Sequence, residues 1–143
     1  MGSISSILKS KGTVLHATTP GTLVYNALEL MVEKNISSVL VMEDEKLLGI
    51  FTERDYARKV TLKGRFSKDT RIDEVMTADL VTISPDATID ECMRLMTDRH
   101  IRHLPVVENE EVLGLISIGD VVKFIIEDQK TIIKQMEQYI TGI

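Results

Sequence analysis

The chain writes one figure twice. "GIFTERD", residues 49–55, returns as "GLISIGD", residues 114–120. Gly49 and Gly114, Thr52 and Ser117, and Asp55 and Asp120 are each 65 residues apart. The same offset aligns Pro20 with Pro85, Leu30 and Met31 with Leu95 and Met96, Ile36 with Ile101, and Val41 with Val106. No gap is needed from Pro20 to Val60 against Pro85 to Ile125. Two copies are too few for a solenoid, which stacks more units and caps both ends. A single pair suits two halves that bury one shared interface about a pseudo-twofold axis. A chain of 143 residues has room for that arrangement.

Each copy predicts the same run of elements. A short extended piece opens it, "TVLHAT" in one and "DLVTIS" in the other, followed by a proline turn. A helix comes next, with apolar positions three and four apart: Leu23, Ala27, Leu30 and Met31, matched by Thr88, Cys92, Leu95 and Met96. "SVLVM" and "LPVV" are brief and β-branched, as buried strands are. The acidic "EDEK" and "ENEE" read as hairpin turns into "LLGIF" and "VLGLI", and a second helix starts at Thr52 or Ser117. The order is β-α-β-β-α, twice, in an α/β fold. Repeat 1 spans residues 10–63 and repeat 2 residues 77–128, joined by 64–76, whose polar first half is expected to be mobile. Residues 129–143 extend the last helix, with Gly142 suited to its C-cap. The apolar residues of that extension suit packing on the chain's own domain or on a second subunit.

Composition narrows the function. Apolar residues make up 43% and aromatics 4%, so the core is built from Val, Ile, Leu and Met. A net charge of −5 argues against a general nucleic-acid binder, which needs a basic face. No apolar run approaches the roughly 20 residues of a membrane span. The single cysteine, Cys92, forbids an internal disulfide and suits a reducing compartment, so a cytoplasmic location is expected.

The doubled motif has two compatible readings. Thr or Ser at an N-cap with an acid three residues on is a capping box, which satisfies orphan N–H groups and complements the helix dipole. The same aspartate can accept hydrogen bonds from the two hydroxyls of a ribose, and a helix start beside strand ends favours an anion. Capping does not explain the basic company. "TERDYARK" sets Arg54, Arg58 and Lys59 around Asp55, and "HIRHLPVV" sets Arg102 and His103 just before a buried strand. Arginine there suits phosphate, with bidentate geometry.

In order and spacing, the two copies resemble a tandem pair of CBS domains, a Bateman module, over about residues 10 to 128. The run from "GIFTERDYARKV" through "GRFSKDTRIDEVMT" and "LMTDRHIRHLPVV" to "GLISIGDVVK" resembles stand-alone CBS-pair proteins in particular. The resemblance implies small mixed sheets with flanking helices and a cleft on the pseudo-twofold axis. It implies adenosine nucleotides and related adenosine compounds as ligands: AMP, ADP, ATP, sometimes S-adenosylmethionine or a dinucleotide such as NAD. Carried over residue by residue, one site takes Thr52 and Asp55 for ribose, Thr77, Leu80 and Val81 for the base, and Arg102 and His103 for phosphate. The other takes Ser117 and Asp120, with Lys11, Leu15 and His16 around the base and Ser37 and Ser38 where the first has Arg102 and His103. Gly119 also stands where the first copy has Arg54, so the second site is short of cations.

Other chemistry finds less support. His100, His103 and Cys92 have poor metal spacing, G-x-S-x-G is absent, and neither glycine motif is G-x-G-x-x-G. The sequence therefore predicts a non-enzymatic regulator: a homodimer whose packing shifts with nucleotide occupancy and is read by a protein partner. The rival is a ligand-free interaction module in which the motifs only cap helices.

Overall fold

The computed structural model describes residues 2–12 and 14–141. They fall into two units, one made of Met1–Thr13, Thr82–Glu108 and Leu113–Ile143, the other of Val14–Val81 and Asn109–Val112. The fold is mixed α/β, with small sheets and flanking helices.

In the unit built on residues 14–81, strand β1 (Ala17–Thr18) runs parallel to β2 (Ser38–Glu43), which pairs antiparallel with β3 (Lys46–Thr52). After the Pro20 turn comes a helix that the sequence order makes the second in the chain, α2 (Val24–Lys34). Val24, Ala27 and Met31 are buried among Val39, Val41 and Phe51 of the strands and Val60, Ile72 and Val75 beyond. The helix ends because Asn35 turns left-handed, its N–H returning to the carbonyls of Met31 and Val32.

The other unit repeats this plan at the 65-residue offset. Helix α4 (Ile89–Arg99) buries Ile89, Cys92 and Met96, and His100 takes the left-handed C-cap. Burial pushes the Cys92 thiol up, so this cysteine packs as a small apolar side chain. Strands β4 (His103–Glu108) and β5 (Glu111–Ser117) form a hairpin, and Ile83 bridges Val106 in parallel, as Thr18 pairs with Val41. Both hairpin loops have two residues with positive φ, 52° and 65° at Asp44 and Glu45 and the same values at Asn109 and Glu110. That is the primed turn whose twist matches the strands.

Four sequence expectations need correction. Leu23 and Thr88 are N-caps and not core positions; Thr88 forms a capping box with Glu91, and Leu23 is exposed. The opening extended pieces are shorter than expected, a two-residue strand in one copy and a single bridge in the other, with Thr13 outside the described residues. The second helix of repeat 1 is broken: α3 (Glu53–Asp55) gives way to a π turn at Tyr56–Val60 and a 3-10 turn at Thr61–Lys63, closed by Gly64 at φ 68°. Its counterpart α5 runs unbroken from Ile118 to Thr141, and Gly142 lies outside the described residues.

The fourth correction is an unforeseen helix, α1 (Ile4–Lys11), which belongs with the second copy. Ile4 and Ile7 are buried, and the Ile4 N–H bonds to the Ala87 carbonyl. The connection at 64–76 is tied down along its length. Val24 N–H reaches the Thr70 carbonyl at 2.8 Å, Ile72 N–H reaches that of Thr22 at 2.7 Å, and Arg65 pairs with Glu74 at 2.8 Å.

Candidate functional site

β3 ends at Thr52 in extended geometry, and the chain turns directly into α3. Thr52 Oγ1 accepts from the Asp55 N–H at 3.1 Å, and Asp55 Oδ2 accepts from the Thr52 N–H at 3.0 Å, completing a capping box. The Glu53 N–H bonds to the Ser37 carbonyl at 3.1 Å. The Glu53 and Asp55 N–H groups thus have partners within the chain.

Asp55 is 7% exposed, and its carboxylate does more than cap. Oδ1 accepts from Thr77 Oγ1 at 2.9 Å and lies 3.1 Å from Lys59 Nζ; Oδ2 is also within 3.2 Å of Thr52 Oγ1. Thr77 is delivered by paired backbone hydrogen bonds with Ile50, of 2.8 and 3.0 Å. This crossing explains Gly49. A Cβ there would stand 2.6 Å from Met76 Sδ and 2.9 Å from the Thr77 carbonyl oxygen.

The second copy builds an equivalent corner from different parts. Asp120 Oδ2 accepts from the Ser117 N–H at 2.8 Å, and the Asp120 N–H returns to Ser117 Oγ at 3.2 Å. Ile118 N–H bonds to the Arg102 carbonyl at 2.9 Å, as Glu53 does to Ser37. The cation comes from α1: Lys11 Nζ lies 2.7 Å from Asp120 Oδ2 and donates to the Leu115 carbonyl at 2.6 Å. Burial works to raise the Asp120 carboxyl, but the Lys11 ammonium and the Ser117 N–H outweigh it and hold the group below the usual carboxylate range. Gly114 makes room for α1, since a Cβ there would meet Leu8 Cδ2 at 2.5 Å. A groove of about 560 Å³ opens here, with Lys11 and Asp120 beside Lys123, Phe124 and Glu127.

The structure therefore gathers Thr52, Asp55 and Thr77 in one unit, and Lys11, Ser117 and Asp120 in the other. Arg54 and Arg58 are exposed on the turns around Asp55, and Leu80 and Val81 follow Thr77, half-buried. Leu15 and His16 precede β1, where the His16 carbonyl accepts from the Leu40 N–H. Ser38 is buried opposite Thr52, so Ser37 and Ser38 share a sheet corner with Asp55. Arg102 and His103 lie at the start of β4, in the unit that holds Asp120. Lys11 sits on a helix and pairs with the carboxylate. Lys59 was noticed in sequence only as nearby charge. Its i,i+4 spacing from Asp55 was the available signal for a direct partner.

The CBS-domain family model matches residues 13–61 and 72–127. The chain belongs to the CBS-domain family. This CBS pair is 38% identical to a mitochondrial CBS domain-containing protein of Arabidopsis thaliana, over 97% of this chain and 72% of the plant protein. Among solved structures it is similar to a protein with CBS domains from Burkholderia ambifaria, with 46% identity, a TM-score of 0.86, and coverage of 90% of this chain and 96% of that one. It also shares its fold with a CBS domain pair solved in complex with 5′-methylthioadenosine and S-adenosyl-L-methionine, at 22% identity and a TM-score of 0.77, over 87% of this chain and 99% of that one. No helix among the described residues is long and apolar enough to cross a membrane.

Proposed function

We propose that this chain is a regulatory, non-catalytic CBS pair of repeats 10–63 and 77–128 that binds adenosine nucleotides, with AMP, ADP, ATP and NAD as the candidate ligands. One observation carries the reading: Asp55 and Asp120 are equivalent carboxylates, each fixed by its own Thr or Ser and each facing a lysine ammonium. A fixed carboxylate is a good acceptor for a ribose diol. The diol takes over the positions that Lys59 and Lys11 now occupy, and the displaced ammonium is then at hand for phosphate. The adenosine ligands of the distant CBS pair agree in chemical class.

In this scheme Thr52, Asp55 and Thr77 hold one ribose, Leu80 and Val81 border its base, and Arg54, Arg58, Arg102 and His103 serve phosphate. Ser117 and Asp120 hold the other, with Lys11, Leu15, His16, Ser37 and Ser38 around it. Because Lys11 belongs to α1, ligand at Asp120 loosens the hold on that helix, which is a route to a response. The working unit is a homodimer in the cytoplasm, and a partner protein reads the change.

The completeness of both capping hydrogen-bond sets favours a second reading, an interaction module whose aspartates only hold helices. Titration calorimetry with AMP, ADP, ATP and NAD separates the two. Binding tighter than millimolar that is lost in Asp55→Asn/Asp120→Asn supports a nucleotide sensor. Absence of binding by all four leaves the interaction module.

A further inference from the structure

Beyond its packed first turns, α5 carries an apolar face left open by the described residues. Every described residue from 129 to 141 is exposed. The face follows a heptad: Val122, Ile126, Gln129, Ile133, Met136 and Ile140 alternate spacings of four and three, with Ile132 and Tyr139 alongside. The apolar members of this seam are 47–79% exposed, far more than a settled core position. A helix end of this length is marginal in water without a packing partner.

We propose that α5 pairs antiparallel with α5 of a second copy of this chain. This rests on reading the protein as a homodimer, and adds the surface and its register. One register satisfies the whole seam: Val122 meets Ile140 of the other helix, Ile126 meets Met136, and Gln129 meets Ile133. When two helices run in opposite directions, each flank faces its own copy. One flank is then apolar, with Ile132 on its own twin. The other carries Lys123, Lys130 and Glu137, and the register brings Lys123 beside Glu137 at both ends and Lys130 beside its own twin between them. A parallel pair would set this charged flank against the apolar one. Two Lys123–Glu137 pairs against one Lys130 pair leave the balance attractive, and that balance favours a second copy as occupant and the antiparallel direction.

Sedimentation equilibrium on the full chain tests the pairing. The wild type sediments as a dimer at micromolar concentration, and Ile133→Asp/Met136→Asp becomes monomeric while still unfolding in one cooperative transition, at a melting temperature that no longer depends on protein concentration. Lys123→Glu and Glu137→Lys each weaken the dimer about tenfold by turning two attractive contacts repulsive. An equimolar mixture of the two variants restores wild-type association, because each then meets its complement. A monomeric wild type overturns the proposal and the homodimer with it. A dimer untouched by Ile133→Asp/Met136→Asp overturns only this surface. Failure of the mixture to recover overturns the antiparallel register. Calorimetry with AMP on the same variants keeps the nucleotide reading separate, since that reading stands or falls on Asp55 and Asp120.

Discussion

Lys11 Nζ stands 2.7 Å from Asp120 Oδ2, so the first helix of the chain is tethered to the start of its last. The pair is partly open to solvent, and such pairs contribute up to about 1 kcal/mol. Lys11→Met should lower the melting temperature by roughly 2–4 °C in a domain of this size. The pH dependence has a definite sign. Lys11 and Ser117 lower the Asp120 carboxyl, so the ionised form belongs to the folded state. Its contribution is complete above the unfolded value near 4, and is lost as pH falls from there through the lowered folded value. Glu74, lowered by the Arg71 N–H and by Arg65, acts in the same direction. Thermal melts from about pH 5 to pH 2 on wild type and Asp120→Asn isolate the Asp120 share. An equally steep acid loss in both proteins would rule it out.

The two motif glycines should tolerate alanine unequally. At Gly49 the new methyl meets a backbone oxygen, that of Thr77, at 2.9 Å, as well as Met76 Sδ at 2.6 Å. At Gly114 it meets only the end of the Leu8 side chain. Overpacking costs about 1–3 kcal/mol when neighbours cannot yield. Gly49→Ala should therefore sit at the upper end, and Met76→Ala should not rescue it. Gly114→Ala should cost less, and the double variant with Leu8→Ala should recover the loss specific to the clash. Urea unfolding of these proteins, with Met76→Ala and Leu8→Ala alone as references, measures this. Equal penalties at both glycines would contradict the geometry.

The 65-residue offset made most of the fold legible. It carried the β-α-β-β-α order, the hairpin turns and both Thr/Ser–Asp boxes, because those depend on local spacing. What it hid lies where the copies differ. Lys11 and Lys59 play one part from unrelated positions, so aligning the repeats could not pair them. Helix α1 packs with residues some 80 positions later, a separation that local spacing within its short "ISSILKSK" stretch does not reveal. The break after Asp55 has no sequence signal that we can name. Thr77, by contrast, came from the family resemblance, and the structure brings it to the carboxylate through the Ile50 crossing.

The hairpin loops offer a stabilising change. Glu45 and Glu110 both hold φ of 65°. A left-handed non-glycine residue costs roughly 1–2 kcal/mol, and glycine gives back about 0.5–1 kcal/mol through its freer unfolded chain. Glu45→Gly and Glu110→Gly should each gain up to about 1 kcal/mol by this difference. Asp44 or Asn109 followed by glycine is also a favoured pair for this turn, so both changes should stabilise. Chemical denaturation checks both. Destabilisation by either would mean that its carboxylate has a role beyond the turn.

Arg102 distinguishes phosphate recognition from recognition of the nucleoside. It is exposed at the start of β4, and its carbonyl already serves the Ile118 N–H, so its backbone role survives truncation of the side chain. A hydrogen bond to a charged group contributes about 1.5–3 kcal/mol, or roughly tenfold to a hundredfold in affinity. Arg102→Ala should weaken AMP by about that factor and leave adenosine nearly unchanged. Added salt should likewise weaken AMP more than adenosine, because part of the attraction is screened. Paired calorimetric titrations of the two ligands on wild type and variant give the comparison. Equal losses would mean that Arg102 supports the base or the fold. An unchanged AMP affinity would remove Arg102 from the site and leave the cations near the aspartates, Lys11 and Lys59, as the phosphate partners to test next.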